Sequence, residues 1–303
     1  MVISDDRINI AAVAKTSSVM ELTNLSEWRR EPNQPLSHQI KDIAIQSGLE
    51  NAVWNLVLTP SQYQLLQVDV PEVPEEEINN TLKLKASDLL LYPLSEAALS
   101  VFRLPAEAYR GRLKMAYIVA AKRDLITSFQ DEFGYLGLNL ESVDIADMAL
   151  RNLGMLVTQK ESFAVLRLEN DSSYINCCFQ GHMCLNRSVD VGMNQLIESS
   201  APSEGLTINN LQIHFDSMAL EIQRSLDYFE SQLGLGAISE ILVIAPDEID
   251  SSTMKLIDSS FQARVRRLTP NEHLKVNDSY QNDVFTSNCL ALGGALRTLG
   301  VAK

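Results

Sequence analysis

FAVLRLENDSSYINCCFQGHMCLNRSVDVGMNQL, residues 163–196, decides how this chain folds. Phe163–Leu168 is apolar and β-prone, and Asn170–Asp171–Ser172 is a turn. Ser173–Phe179 reads as a second strand, Gln180–Gly181 as a tight turn and His182–Val189 as a third strand. A helix is expected to start near Gly192. Cys177 and Cys178 are neighbours on the second strand, so they point to opposite faces. The start of the chain repeats this order more weakly. Ile8–Ala14 and Ser17–Leu22 read as a hairpin, Glu27–Gln34 as a polar loop, and Pro35–Ser47 as a helix. Leu36, Ile40, Ile43 and Ala44 share one face of that helix, and Gly48 stands at its C-terminal end.

Between these two units the pattern alternates. Val53–Leu58 is a short buried strand, and Pro60–Ser61 turns the chain into Tyr63–Val70. Val73–Tyr92 reads as a helix with Pro74 at its first position, Glu75, Glu76 and Glu77 at the positive end of the dipole, and Pro93 beyond it. Ala98–Leu104 and Lys114–Ala121 are strands, Asp124–Leu136 a helix capped by Gly137, and Leu138–Val143 a strand. Asp144 is placed to cap a helix presenting Ile145, Met148, Ala149 and Leu153. After residue 196 a loop, Ser199–Gly205, leads to the longest helix, Asn210–Leu233, whose apolar residues keep the helical period. Ile238–Ala245 is continuously apolar, as in a sheet covered on both faces. A helix (Ser252–Phe261), a strand (Ala263–Leu268) and a closing helix (Asn288–Leu299) rich in small residues complete an α/β order.

The 303 residues suffice for one large or two medium domains, and 46% apolar with 21% charged residues is ordinary for a globular protein. The net charge of −14 disfavours nucleic acid and anionic lipid as partners. The four cysteines form no Cys-x-x-Cys pair and the four histidines are scattered, which argues for reduced buried thiols and against zinc. No stretch approaches the ~18 uninterrupted apolar residues of a membrane span. His182, His214 and Tyr228–Phe229 read as structural. Asp5–Asp6 reads as a solvated terminus, and Glu75–Glu77 as a helix-dipole cluster.

A three-strand meander leading into a helix resembles the opening of each half in the actin, sugar-kinase and Hsp70 superfamily. There the first turn carries an Asp-x-Gly that grips phosphate and metal. By alignment the corresponding positions are Ala11 and Val13 in the first half, and Arg167 and Glu169 in the second. A third, glycine-bearing loop falls on Ala245–Pro246–Asp247. The resemblance thus implies the fold with its phosphate chemistry removed: no catalytic residue, no metal ligand, and no ATP or magnesium cofactor.

Four further stretches resemble the PilM family of type IV pilus assembly. They are VDVPEVPEEEINNTLKLKASDLLLYPLSEA (Val68–Ala97), KMAYIVAAKRDLI (Lys114–Ile126), LGLNLESVDIADMALRNL (Leu136–Leu153) and MALEIQRSLDYFESQLG (Met218–Gly234). The resemblance implies an actin-like (ribonuclease H-like) two-lobed fold with an inserted subdomain, as in the division protein FtsA. Residues 1–160 would form the first lobe with the insert at about 60–143, and residues 161–303 the second. It also implies a cytoplasmic protein at the inner-membrane face that docks the N-terminal tail of a PilN-type inner-membrane protein. Such a tail would lie beside the helix Glu75–Leu91 or add as a strand along Tyr63–Val70, and the acidic charge favours a basic one. The groove residues expected to meet it are Leu66, Val68, Ile78, Leu82 and Leu89. The plainer alternative is that these build the core of the insert. A rival function, an ATP-binding switch or weak ATPase, needs a metal carboxylate such as Asp171 or Asp247. A small-molecule kinase needs in addition a catalytic aspartate, and none is identifiable.

Overall fold

The computed structural model describes residues 1–16, 19–198, 207–246, 249, 251–276 and 282–299. The Ser199–Gly205 loop and Asp247 lie outside the described residues. The chain opens with β1 (Val2–Ile3), β2 (Arg7–Lys15), β3 (Met20–Arg29), α1 (Leu36–Gln46) and β4 (Val53–Leu58). Next come β5 (Tyr63–Asp69), α2 (Glu75–Ala86), β6 (Ala97–Arg103) and β7 (Met115–Lys122). They are followed by α3 (Arg123–Tyr135), β8 (Asn139–Ile145) and α4 (Ala146–Val157). The meander is β9 (Ser162–Leu168), β10 (Ser173–Phe179) and β11 (His182–Val189), leading into α5 (Met193–Glu198). The remainder is α6 (Thr207–Asp227), β12 (Glu240–Ile244), α7 (Ser251–Ser259), β13 (Arg264–Arg267), β14 (Lys275–Val276) and α8 (Asn282–Ala295).

Two of the three sheets repeat one plan. The first runs β14-β3-β2-β1-β4-β8 and the second β11-β10-β9-β12-β13. In each, three strands meander antiparallel, and two parallel strands then join the edge of the first-formed strand. Helices cover both faces of the second sheet, which explains why every residue of β12 is buried. A third, smaller sheet, β5-β7-β6, packs α2 on one face through Val68, Ile78, Leu82, Ala116 and Ile118.

The pairing redraws the expected boundaries in three places. The small layer ends at Lys122. Strand β8 joins β4, and Phe129 and Phe133 of α3 pack with Ile8, Ile10 and Trp54 of the first sheet, so residues 123–143 belong to the first sheet and not to an insert. After residue 268 the chain returns to that sheet: β14 pairs with β3, and Phe285, Leu290 and Leu292 of α8 share a core with Val2, Ala11, Leu22 and Val57. Strand β3 runs on to Arg29, through what reads as loop in the sequence.

Helix α2 stops at Ala86, short of Tyr92, where the Ser87 hydroxyl turns to Asp88 Oδ1. Leu84, off the buried face of α2, and Leu89 and Leu91 beyond its end are exposed. Asp144 is the next-to-last residue of β8 and does not cap α4; its carboxylate accepts the Ile145 N–H at 2.9 Å and pairs with Arg297. All four cysteines are buried thiols.

Candidate functional site

The paired plan fixes the true position of the first phosphate-type turn. In the second sheet the last rung of the β9–β10 ladder is Leu168 opposite Ser173, and Glu169 N donates to Ser172 O at 2.9 Å. In the first sheet the last rung is Ile3 opposite Ile8, and Ser4 N donates to Arg7 O at 2.9 Å. The two four-residue turns are the same object. Arg167–Leu168–Glu169 therefore corresponds to Val2–Ile3–Ser4, and not to the positions around Ala11 and Val13. Those two lie inside β2, opposite Leu25 and Leu22. At the corrected positions the carboxylate and the glycine of the superfamily motif are again replaced, by Val2 and Ser4. The turn does carry Asp5 and Asp6, which line a cleft together with Arg167, Glu169 and Tyr174.

The cleft continues past the β9–β10 turn as a hollow of about 690 Å³ reaching Asn194 and Pro246. In this region Arg167 and Glu169 form an ion pair at 2.6 Å, with side chains 17% and 31% exposed. The first amides of α5 are already used. Met193 N donates to Glu169 O and Asn194 N to Asn170 O, each at 2.8 Å, and Gly192 N donates to Gln195 Oε1 at 2.9 Å. Gly192 permits this closure: a Cβ there would stand 2.4 Å from Ser172 N and 2.5 Å from Asn170 O. The third loop is pinned likewise, Ala245 O accepting from Arg267 Nη1 at 2.5 Å and from Thr286 Oγ1 at 3.2 Å. With Arg167 committed to Glu169 and Asp6 paired with Arg7, Asp5 and Asp171 leave the lining of the cleft negative, which disfavours an anion.

The expected groove residues fall in two groups. Val68, Ile78 and Leu82 are buried, Leu82 completely, in the core between α2 and its own sheet, and Leu66 packs against that core. These four hold the small layer together and do not form a groove. Leu89 is 47% exposed, in the same segment as Leu84 and Leu91. The edge strand β5 has no strand neighbour beyond β7 among the described residues.

A site the sequence reading missed is the contact of this layer with the rest of the molecule. Asp147, in the first turn of α4, is 3% exposed. Its carboxylate accepts from the Tyr63 hydroxyl at 2.5 Å and from Asn186 Nδ2, and Asn176 Nδ2 reaches its main-chain oxygen at 3.2 Å. Burial pushes the Asp147 carboxyl above its ordinary value, against the Tyr63 hydrogen bond, which favours the charged form. The Tyr63 hydroxyl is raised too, by burial and then by the Asp147 charge. In sequence the one signal was a carboxylate in the first turn of this helix.

Replacing Asp147 by Asn keeps both hydrogen bonds, since the Tyr63 hydroxyl can turn to accept, and removes the buried charge. A carboxyl whose pKa is raised on folding contributes stability that is full below its unfolded pKa and is lost as pH climbs through the folded value. The Asn variant should therefore gain on the wild type as pH rises, in urea midpoints measured between about pH 4 and pH 7. Asp147→Ala should instead lose about 1–3 kcal/mol for each donor left unpaired.

The two matching sheets with a helix-linked cleft between them define an actin-like fold. A chain of a PilM–PilN type IV pilus biogenesis complex superposes with a TM-score of 0.71 at 16% identity, over 98% of this chain and 96% of that one. At that identity the likeness is one of fold. The cytoplasmic domain of EpsL, an inner membrane component of the type II secretion system of Vibrio cholerae, gives a TM-score of 0.48 at 11% identity, covering 95% of this chain and 91% of that one. A Bacteroides thetaiotaomicron protein with an actin-like ATPase fold gives 0.44 at 10% identity, covering 93% and 95%. No protein-family model and no curated protein sequence matches the chain.

Proposed function

We propose that this chain is a non-catalytic scaffold of a type IV pilus assembly platform, docking the cytoplasmic tail of a PilN-type inner-membrane protein. The observation that carries the reading is the likeness, over 98% of the chain, to a component of a PilM–PilN complex. Its non-catalytic half is supported by the cleft, where the first amides of α5 bond to turn carbonyls, Arg167 pairs with Glu169 and Ala245 O is tied to Arg267. We assign the protein to the cytoplasm, at the inner-membrane face of a Gram-negative bacterium and beside other platform proteins, with no nucleic acid, cofactor or metal in its work. No helix among the described residues is long and apolar enough to cross a membrane. The four quoted stretches carry the finer assignment to the pilus of the mannose-sensitive haemagglutinin (MSHA) and its protein MshI. On the small layer, the β5 edge and the exposed Leu84, Leu89 and Leu91 are the groups that meet a tail.

A second reading, an ATP-binding switch or weak ATPase, is favoured by one observation: Asp5 and Asp6 stand in the first turn, facing the cleft. Calorimetric titration of the full chain separates the two. The scaffold reading expects heat from the basic N-terminal tail peptide of the PilN-type partner and none from ATP with magnesium. Micromolar ATP binding that disappears when magnesium is removed would overturn it in favour of the switch.

A further inference from the structure

The three-stranded layer meets the second sheet through tyrosine hydroxyls. Besides Tyr63 on Asp147, Tyr117 of β7 donates to Cys184 O at 3.1 Å. That carbonyl belongs to a β-bulge: Leu185 pairs with Cys177 and Met183 with Cys178, so Cys184 is the extra residue, without a ladder partner. Tyr117 supplies the missing donor on the outer edge of β11. At the rim, the Tyr109 and Tyr228 hydroxyls share a 3.0 Å hydrogen bond, and Gln67 Nε2 of β5 donates to Tyr109 at 3.1 Å. The Arg187 guanidinium lies 5.2 Å from the centre of the Tyr228 ring.

Both sides of this rim contact have unfavourable backbone. Tyr109 and Arg110 are consecutive left-handed residues, at φ 56° and 55°, followed by Gly111 at 68°. Side chains with a Cβ seldom adopt that region, and two in succession must be held there by their contacts. Opposite them α6 ends in a π-helical turn, Tyr228–Leu233, itself a rare geometry. Arg110 lies against the glycine that follows, its Cγ 2.7 Å from where a Gly234 Cβ would stand. The layer hangs from the first sheet by two chain crossings, Thr59–Gln62 and Lys122–Arg123. Its inward face, Leu65, Phe102 and Met115, packs on the core of the second sheet.

We propose that the three-stranded layer is a hinged flap over the edge of β11, latched by the Tyr109–Tyr228 hydroxyl pair, with the left-handed Tyr109–Arg110 turn as the strained element that favours release. Opening frees the turn from its strain and the α6 end from its clamp. It uncovers the Cys184 carbonyl and the apolar inner face together. The flap needs no tail and no nucleotide to work.

Hydrogen exchange by mass spectrometry on the full chain tests this. Tyr228→Phe removes the latch and should speed exchange in residues 107–112 and 182–189 by about tenfold, the equivalent of one hydrogen bond, while β2 and β4 exchange as before. Arg110→Gly makes the left-handed turn unstrained and should slow exchange in the same two segments. Unchanged rates in both variants, or an increase spread evenly over β2, β4 and β11, would overturn the flap and leave a rigid interface. If Tyr228→Phe does not fold, the exposed Arg110→Gly change decides alone, slower exchange supporting the latch and equal exchange refuting it.

Discussion

Gly293→Ala should lower the unfolding free energy by about 2 kcal/mol. Helices α4 and α8 cross with almost no side chain between them. A Cβ on Gly293 would stand 2.1 Å from Ala149 O and 2.8 Å from Ala149 Cα, which are backbone atoms and cannot rotate away. The crossing is also tied by Asn152, fully buried, whose Nδ2 donates to Gly293 O at 2.9 Å. Overpacking at such a site costs about 3 kcal/mol, the upper end of the usual range. Alanine returns up to about 1 kcal/mol of helix propensity, which leaves the net loss stated above. The neighbouring Gly294→Ala is the control. Its Cβ would meet the Val57 side chain, with Cγ2 at 2.4 Å, and no backbone atom of another element within 4 Å, so its loss should be smaller. Urea unfolding of the three proteins measures both. A Gly293→Ala midpoint equal to the wild type would mean that the two helices have slack.

Leu82→Glu should unfold the small layer. Leu82 is 0% exposed, at the centre of the cluster joining α2 to its sheet. Truncating a buried leucine costs about 2–5 kcal/mol, and a carboxylate adds the cost of leaving water. Burial also raises the pKa of the new carboxyl, so the damage should grow from about pH 5 to pH 7, as the folded form is made to hold a charge. Leu89→Glu, at 47% exposure, should stay within about 0.5 kcal/mol of wild type. The pair matters for docking, because a loss of tail binding in Leu82→Glu reports a broken layer, whereas a loss in Leu89→Glu reports a contact. Near-ultraviolet circular dichroism beside the binding titration separates the two causes. A Leu82→Glu protein with an intact layer would contradict the core described here.

What could be read from sequence follows from how far each element depends on its neighbours in the chain. Strands β9, β10 and β11 were legible because each is an apolar run closed by a turn. The small-residue stretch of α8 announced a close helix crossing, and Gly293 supplies it. The two-residue strands β1 and β14 carry no period, and missing β1 moved the first turn from Ser4 to the middle of β2. The layer boundary was misplaced because nothing local to residues 123–143 says that α3 and β8 return to the first sheet. Val68, Ile78 and Leu82 have the composition of a groove and of a core alike, and only the packing of α2 on its own sheet tells them apart. The Asp147 contact joins three elements distant in sequence, and no periodicity encodes such a meeting.

The return of α8 to the first sheet also governs how the protein is made. Asn9 Nδ2 donates to Ser287 O and Asn288 Oδ1, partners 278 and 279 residues away. Strands β1 to β4 thus lack one side of their core until α8, far along the chain, has been made. Contacts of such separation are slow to form. During synthesis the second sheet, whose strands all lie between residues 162 and 267, can assemble first and present a folded surface to an unfinished partner. Of the two sheets, the one that comes earlier in the sequence is then the one that closes later, and until α8 arrives Val2, Ala11 and Val57 lack that side of their core.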